Sequence, residues 1–240
     1  MSHPYFLTVA YAGAGFHGWQ IQTSLRSGQG DLWKALRAFD PEAPMPQGTG
    51  RTDAGVHARA QGVLIRTARS WDSYRLLAAL NAHLSADLRV MAVRPAPEGF
   101  FPRQHAVAKR YVYRLGLGPA ADPLQAPSRW HVHQAQPLDL AAMAAAVPPL
   151  LGTHDFSAFR CAECAAQTPV RTLHGIGITA VEGGAELVYD FGLASPQGLG
   201  SLMPQRASYQ TFSRHRPSGG AVRPALRRSW DCSTRARESG

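Results

Sequence analysis

At 240 residues, with 45% hydrophobic and 17% charged residues, the chain has the composition of a globular protein able to bury a large core, which excludes a disordered one. The formal net charge of +9 points to a polyanionic partner. However, residues 192–240 hold eight arginines against two acidic residues, so the first 191 residues are only mildly basic and the bulk charge says little about them.

Tyr5 to Tyr11 alternates aromatic or apolar residues with smaller ones and reads as a strand. It leads into Tyr11-Ala12-Gly13-Ala14-Gly15-Phe16-His17-Gly18-Trp19-Gln20, where three glycines separate the aromatics. That pattern reads as a turn presenting flat side chains. The plainer alternative is a Gly-rich hairpin with a packed Trp19. Leu32, Trp33, Leu36 and Phe39 follow Gln29-Gly30 at helical spacing, and Pro41, Pro44 and Pro46 then break the chain.

Gly50-Arg51-Thr52-Asp53-Ala54-Gly55-Val56-His57-Ala58 is a compact polar cluster flanked by glycines, ahead of a strand-like run from Gln61 to Arg66. The glycines suit a tight loop that presents Asp53 at a sheet edge. A carboxylate two residues from an arginine stays ionised, and as such it can be a nucleophile, a base or a metal ligand. The plain alternative is an aspartate that closes a turn or pairs with Arg51.

Trp71 to Leu84 reads as a helix with Ser70 or Asp72 near its start, and Leu88 to Val93 as a strand. Pro95 and Pro97 mark a connection to FFPRQHAVAKRYVYR, which begins at Phe100. Lys109 to Arg114 alternates and reads as a strand whose basic and aromatic residues suit phosphates and bases, or equally a half-buried strand with a solvated face. Leu138 to Leu150 is an Ala-rich helix ended by Pro148-Pro149. In Gly152-Thr153-His154-Asp155-Phe156 the acid reads as a turn closure or cap ahead of a catalytic group. Thr168 to Thr179 and Glu186 to Phe191 read as strands.

Cys161 and Cys164 form one C-x-x-C without a second pair, too few ligands for structural zinc, so no metal is expected. An odd cysteine count, completed by Cys232, and the absence of a signal-like N-terminus fit a reducing, cytoplasmic setting. No apolar run reaches the roughly 20 residues of a membrane span.

GRTDAGVHA resembles the active-site motif of the tRNA pseudouridine synthase A family. The segment from Tyr11 to Gln20 resembles that family's YDGSxFxGWQ string, with Ala12 and Ala14 in place of Asp and Ser. Lys109-Arg110-Tyr111-Val112-Tyr113 resembles its second motif, and Gly152 to Phe159 its GxHDFxxF string. The resemblance implies an α+β protein with the pseudouridine synthase fold: two sheet-and-helix halves around a central cleft, mostly antiparallel. One half would span residues 1–105 and carry the Asp loop. The second, incomplete, would span 106–191. It further implies isomerisation of uridine to pseudouridine at positions 38–40 of the anticodon arm of tRNA, without cofactor, by a homodimer. Asp53 would be the nucleophile, attacking either the sugar or the ring. Arg51 would lie beside the target base, and Tyr111 would stack on it after the base has left its helix. Tyr113 is expected on the opposite strand face, in the core.

The resemblance covers about Tyr5 to Asp190 and stops after Phe191. More than half of residues 192–240 are Gly, Pro, Ser or Arg, with no helical or strand period. The family's arginine-bearing string, whose arginine pairs with the catalytic carboxylate, has no counterpart there. The composition fits a shifted reading frame in GC-rich coding sequence, with a diverged functional tail as the alternative, and a disordered segment is expected in either case. Two rival readings remain: a catalytically impaired RNA-binding protein in which Asp53 is dispensable, and a metal-dependent hydrolase built on Asp53, His57 and His154.

Overall fold

The structure, a computed structural model, describes residues 2–133, 138–159, 168–192 and 208–212. The C-x-x-C pair and most of the Arg-rich tail lie outside these residues.

The described elements are β1 (His3–Tyr11), α1 (Gly28–Arg37), β2 (Gln47–Gly48), β3 (His57–Thr67), α2 (Ser73–His83), β4 (Leu88–Pro95), α3 (Pro102–His105), β5 (Ala108–Gly116), β6 (Trp130–His131), α4 (Leu140–Ala145), β7 (Gly152–Asp155), β8 (Val170–Val181), β9 (Gly184–Gly192) and β10 (Ser208–Phe212). The strands order as β4-β1-β3-β10-β5-β9-β8-β7, with β2 on β3 and β6 on β5. Pairing is antiparallel except where β5 meets β10 and β6. The mixed, mostly antiparallel architecture agrees with the expected α+β class.

The period of two along β1 organises the first core. Tyr5, Leu7, Val9 and Tyr11 all point inward and are at most 4% exposed. Leu32 and Leu36 of α1 and Leu76 and Leu80 of α2 cover them, each fully buried. Each such leucine contributes about 1.5–3 kcal/mol through the apolar surface it withdraws from water. Ser27 caps α1 through Gly30 N, and Asp72 caps α2 through Arg75 N. Gln61 to Ile65 of β3 are all buried. The strand is covered on one face by the helices and on the other by Phe6 and Thr49, which leave no room for a Cβ at Gly62. A second cluster joins Leu115, Phe156, Leu173, Ala185, Leu187 and Tyr189.

Three expectations change. The helix expected over 138–150 is shorter: Asp139 caps it at Ala142 N, and it ends at Ala145. Pro148 and Pro149, which have no backbone N–H to donate, start a 3-10 turn instead, with Val147 before them still helical. Gly152–Asp155 forms a strand on β8, where the sequence showed a motif without a period. Within the tail, Ser208–Phe212 forms β10, antiparallel to β3 and parallel to β5. Five residues are too few to show a period, and pairing on both edges supplies what the pattern lacks. No described helix is long and apolar enough to cross a membrane.

One ion-pair network anchors the loop after β1. Arg26 holds Asp87 through both carboxylate oxygens, at 2.7 and 2.8 Å, and reaches Asp31 at 2.8 Å. Ala12 N donates to Asp87 O, His17 N donates to Arg26 O, and the guanidinium lies 4.2 Å over the Phe16 ring. The Arg26 hydrogen bonds lower the Asp87 carboxyl to about 2. Because the side chains are 38% and 31% exposed, the pair contributes no more than about 1 kcal/mol. A lowered carboxyl stabilises the fold above its ordinary range, and that contribution fades as pH falls from about 4 towards 2. Asp87→Asn should therefore lower the melting temperature by a few degrees at pH 7, and the gap to the wild type should narrow steadily as pH falls from about 4 towards 2. A gap that is constant across this range in calorimetric scans would show that the charge is irrelevant.

Candidate active site

Asp53 lies at the end of the sheet where β1 leaves and β3 enters, since Tyr11 pairs with Ala58. Its loop is closed by Val56 N donating to Asp53 O, across Gly55 at φ +77°. Such a φ suits glycine and turns the chain sharply. Turn closure is thus carried by the Asp53 backbone. The residue is half-buried, and Arg51 is exposed and makes no ion pair among the described residues.

The Gly-rich loop clasps this turn. Trp19 N donates to Thr52 O at 3.0 Å, and Gly55 N donates to Phe16 O at 3.2 Å. The approach is possible because a Cβ on Gly13 would lie 2.1 Å from Val56 O, and one on Gly18 (φ +93°) would lie 2.5 Å from Thr52 O. Phe16 and Trp19 are 3% and 2% exposed. The expectation that this turn presents flat side chains is therefore wrong, and the packed-Trp19 alternative holds. Tyr11 stacks on Trp19 with centroids 5.8 Å apart, and its hydroxyl shares a buried 2.8 Å hydrogen bond with Thr52 Oγ1. Burial pushes the Tyr11 phenol well above its ordinary range, against the opposing pull of the Thr52 bond, so Tyr11 stays neutral.

Sequence reasoning missed two supports. Gln61 is fully buried within the apolar run of β3, and its Nε2 donates to Gly50 O at 2.6 Å. An amide amid buried aliphatics was the available signal, because such a group needs a partner. Lys109 of β5 is the other. Its Nζ lies 2.6 Å from where a Cβ on Gly50 would stand, so the basic strand reaches the start of the Asp53 loop.

Tyr111 is half-buried on β5, its ring edge-on to Phe191 at 5.6 Å. Tyr113 meets Tyr189 in the same way at 5.6 Å, and Tyr189 stacks on Phe191. The two tyrosines therefore share one face, correcting the expectation that Tyr113 points the other way: residues two apart on a strand lie on the same side. The opposite face carries the bidentate Arg110–Asp190 pair and Arg114–Glu186. Through β10, whose Gln210 pairs with both Ala58 and Tyr111, β3 and β5 stand about 10 Å apart.

The two histidines of the hydrolase reading bond to different backbone carbonyls. His57 Nε2 bonds with Pro127 O, and His154 Nε2 with Leu151 O. Asp155 accepts from Ser157 N at 2.7 Å, the turn closure expected of it. Among the described residues no group of three or more His, Cys, Asp or Glu could hold a metal ion.

No family model matches the chain. Among curated proteins, it is 35% identical over 237 residues to a tRNA pseudouridine synthase A of Cereibacter sphaeroides, covering 92% of both chains. It is 40% identical over 178 residues to that of Rhizobium meliloti, covering 73% of this chain and 71% of the other. To that of Dinoroseobacter shibae it is 42% identical over 173 residues, covering 72% and 66%. The chain belongs to the tRNA pseudouridine synthase A family. The match across 92% of the chain also runs past Phe191, beyond where motif reading stops.

The Tyr11–Thr52 bond can be weighed directly. Tyr11→Phe leaves a buried hydroxyl unpaired and should destabilise by about 1–3 kcal/mol in urea unfolding. Adding Thr52→Val to Tyr11→Phe should then change stability little. A silent single substitution would show that the bond contributes nothing.

Proposed function

We propose that this chain is an isomerase converting uridine to pseudouridine in tRNA, at positions 38–40 of the anticodon arm, with Asp53 as its nucleophile. The observation that carries the reading is the backbone clasp on the Thr52-Asp53 turn, with Lys109 of the Tyr111 strand against Gly50. Three separate family motifs meet there. The relatives' shared name supports the substrate and the reaction.

The reaction breaks the N1–C1′ bond, turns the uracil over and forms a C5–C1′ bond. The C5 proton leaves and N1 gains one, so the change is redox-neutral and needs no cofactor. In this reading the target base leaves its stack and enters beside Asp53. Arg51, exposed on the same loop, holds the opened site. Tyr111, braced by Phe191, gives the base a stacking face. Lys109 brings a positive charge to the loop that approaches the RNA backbone. The two hydrophobic clusters would form the two halves of the cleft, working in the cytoplasm as a homodimer. The reading as an impaired RNA-binding protein rested on the missing C-terminal pattern, and a relative that matches beyond residue 191 weakens it.

Asp53→Asn should abolish pseudouridine formation without loss of fold, because the amide is not a nucleophile. The assay is tritium release from tRNA labelled at C5, and unchanged turnover would overturn the assignment. Tyr111→Ala should cost more activity than Tyr111→Phe, since an aromatic face under a base is worth about 1–3 kcal/mol. Equal losses in single-turnover assays would transfer the role from the ring to the hydroxyl.

A further inference from the structure

Beside the Asp53 loop lies a pocket of about 490 Å³ whose walls include Trp19, Gln20, Gln47, Phe101, Arg103 and Gln104. Its volume falls within the roughly 300–1,000 Å³ of small-ligand sites. Three features give it a chemical character. Phe101, 48% exposed, presents an aromatic ring in the pocket wall. Arg103, exposed on α3, supplies a fixed positive charge at the rim. Gln20, also in the wall, carries a buried amide oxygen with no hydrogen-bond partner, an acceptor left for a donor once the side chain shifts. An aromatic face, a guanidinium and an amide acceptor together match one nucleotide: a base to stack, a phosphate to pair and a base-edge donor to bind.

The pocket shares a residue with the clasp that holds the Asp53 turn. Trp19 forms part of its wall and also holds Thr52 O through its backbone. Gln47-Gly48, also in the wall, lies two residues before Gly50.

We propose that this pocket takes a second unstacked nucleotide of the RNA, a loop neighbour of the target whose base presents an amino group, stacked on Phe101 with its phosphate on Arg103. The inference rests on the proposed RNA substrate. Once the target is extruded, its neighbour loses a stacking partner, and a pocket that receives it would stabilise the opened loop.

The test uses the full chain carrying Asp53→Asn, so that binding is read without turnover, and a tRNA anticodon stem-loop with 2-aminopurine placed in turn at each loop purine. At one position, binding should change the emission at least twofold. Adding Phe101→Ala should abolish that change and weaken the dissociation constant about tenfold, whereas Phe101→Tyr should preserve both. Arg103→Ala should weaken binding and flatten its salt dependence. Both side chains are exposed, so the fold should survive, as circular dichroism would verify. Binding and emission unaltered by Phe101→Ala would overturn the proposal. Failure of the wild-type chain to form pseudouridine, with the Phe101-dependent emission change intact, would overturn the catalytic reading and leave the pocket standing.

Discussion

The contact on which the site depends is the backbone clasp between the Gly-rich loop and the Asp53 turn. Two hydrogen bonds, Trp19 N to Thr52 O and Gly55 N to Phe16 O, join chain segments more than thirty residues apart. Peptide groups held this way cannot be exchanged by rotamer changes, so the turn inherits the rigidity of the sheet beneath it. Gly13 and Gly18 make the approach possible, because any side chain at either would collide with the backbone of the partner loop. Phe16 between them and Trp19 just after Gly18 serve the same end. Phe16 and Trp19 point inward, pack with Tyr11 and leave the polar edge of the turn facing out.

That arrangement explains what the amino-acid sequence could and could not reveal. Elements with a clear period were legible: β1 and α1 through alternation and helical spacing, α2 through its Asp72 cap. Arg51, Asp53 and Tyr111 were singled out by contiguous motifs, whose specificity exceeds that of any periodicity. The orientation of Phe16 and Trp19 was not legible, because a glycine-spaced aromatic string is compatible with outward or inward rings. Strand parity was available throughout, and Tyr113 was nevertheless assigned to the wrong face. The contact of Lys109 with Gly50 depends on register between strands far apart in the chain, which no local pattern encodes, whereas the buried amide of Gln61 signalled its need for a partner without naming Gly50 O.

The two hydrophobic clusters differ in how they are covered. The first has two helices laid across β1, β3 and β4, and many of its side chains are fully buried. In the second, the six-residue α4 buries none of its own residues, and Tyr111, Tyr113, Ile176 and Ile178 remain half-buried. An aromatic ladder on β5 and β9 takes the place of a dense aliphatic core. In this ladder Tyr111 meets Phe191 and Tyr113 meets Tyr189 edge to face, while Tyr189 and Phe191 stack, so each ring is fixed by its neighbours on the adjacent strand. Tyr189 shows the cost: burial raises its phenol to about 12, so it contributes bulk and stays uncharged.

β10 ties these parts together. It is the one described strand lying between β3 and β5, and its backbone pairs with the residues immediately after the Asp53 loop and with Tyr111 and its neighbours. The distance between the Asp53 loop and the Tyr111 strand is therefore set by a segment within a tail whose overall composition reads as unstructured. Under the proposed function, a reaction in which a base must detach, turn over and reattach to the same sugar would tolerate little drift between the Asp53 loop and the Tyr111 strand. Pairing on both edges gives β10 the means to set that separation through main-chain hydrogen bonds, which are indifferent to side-chain identity. The strand itself reads Ser208-Tyr209-Gln210-Thr211-Phe212, free of the glycine, proline and arginine common in the rest of the tail. This accounts for a tail that diverges in pattern while the described strand within it remains integral to the sheet.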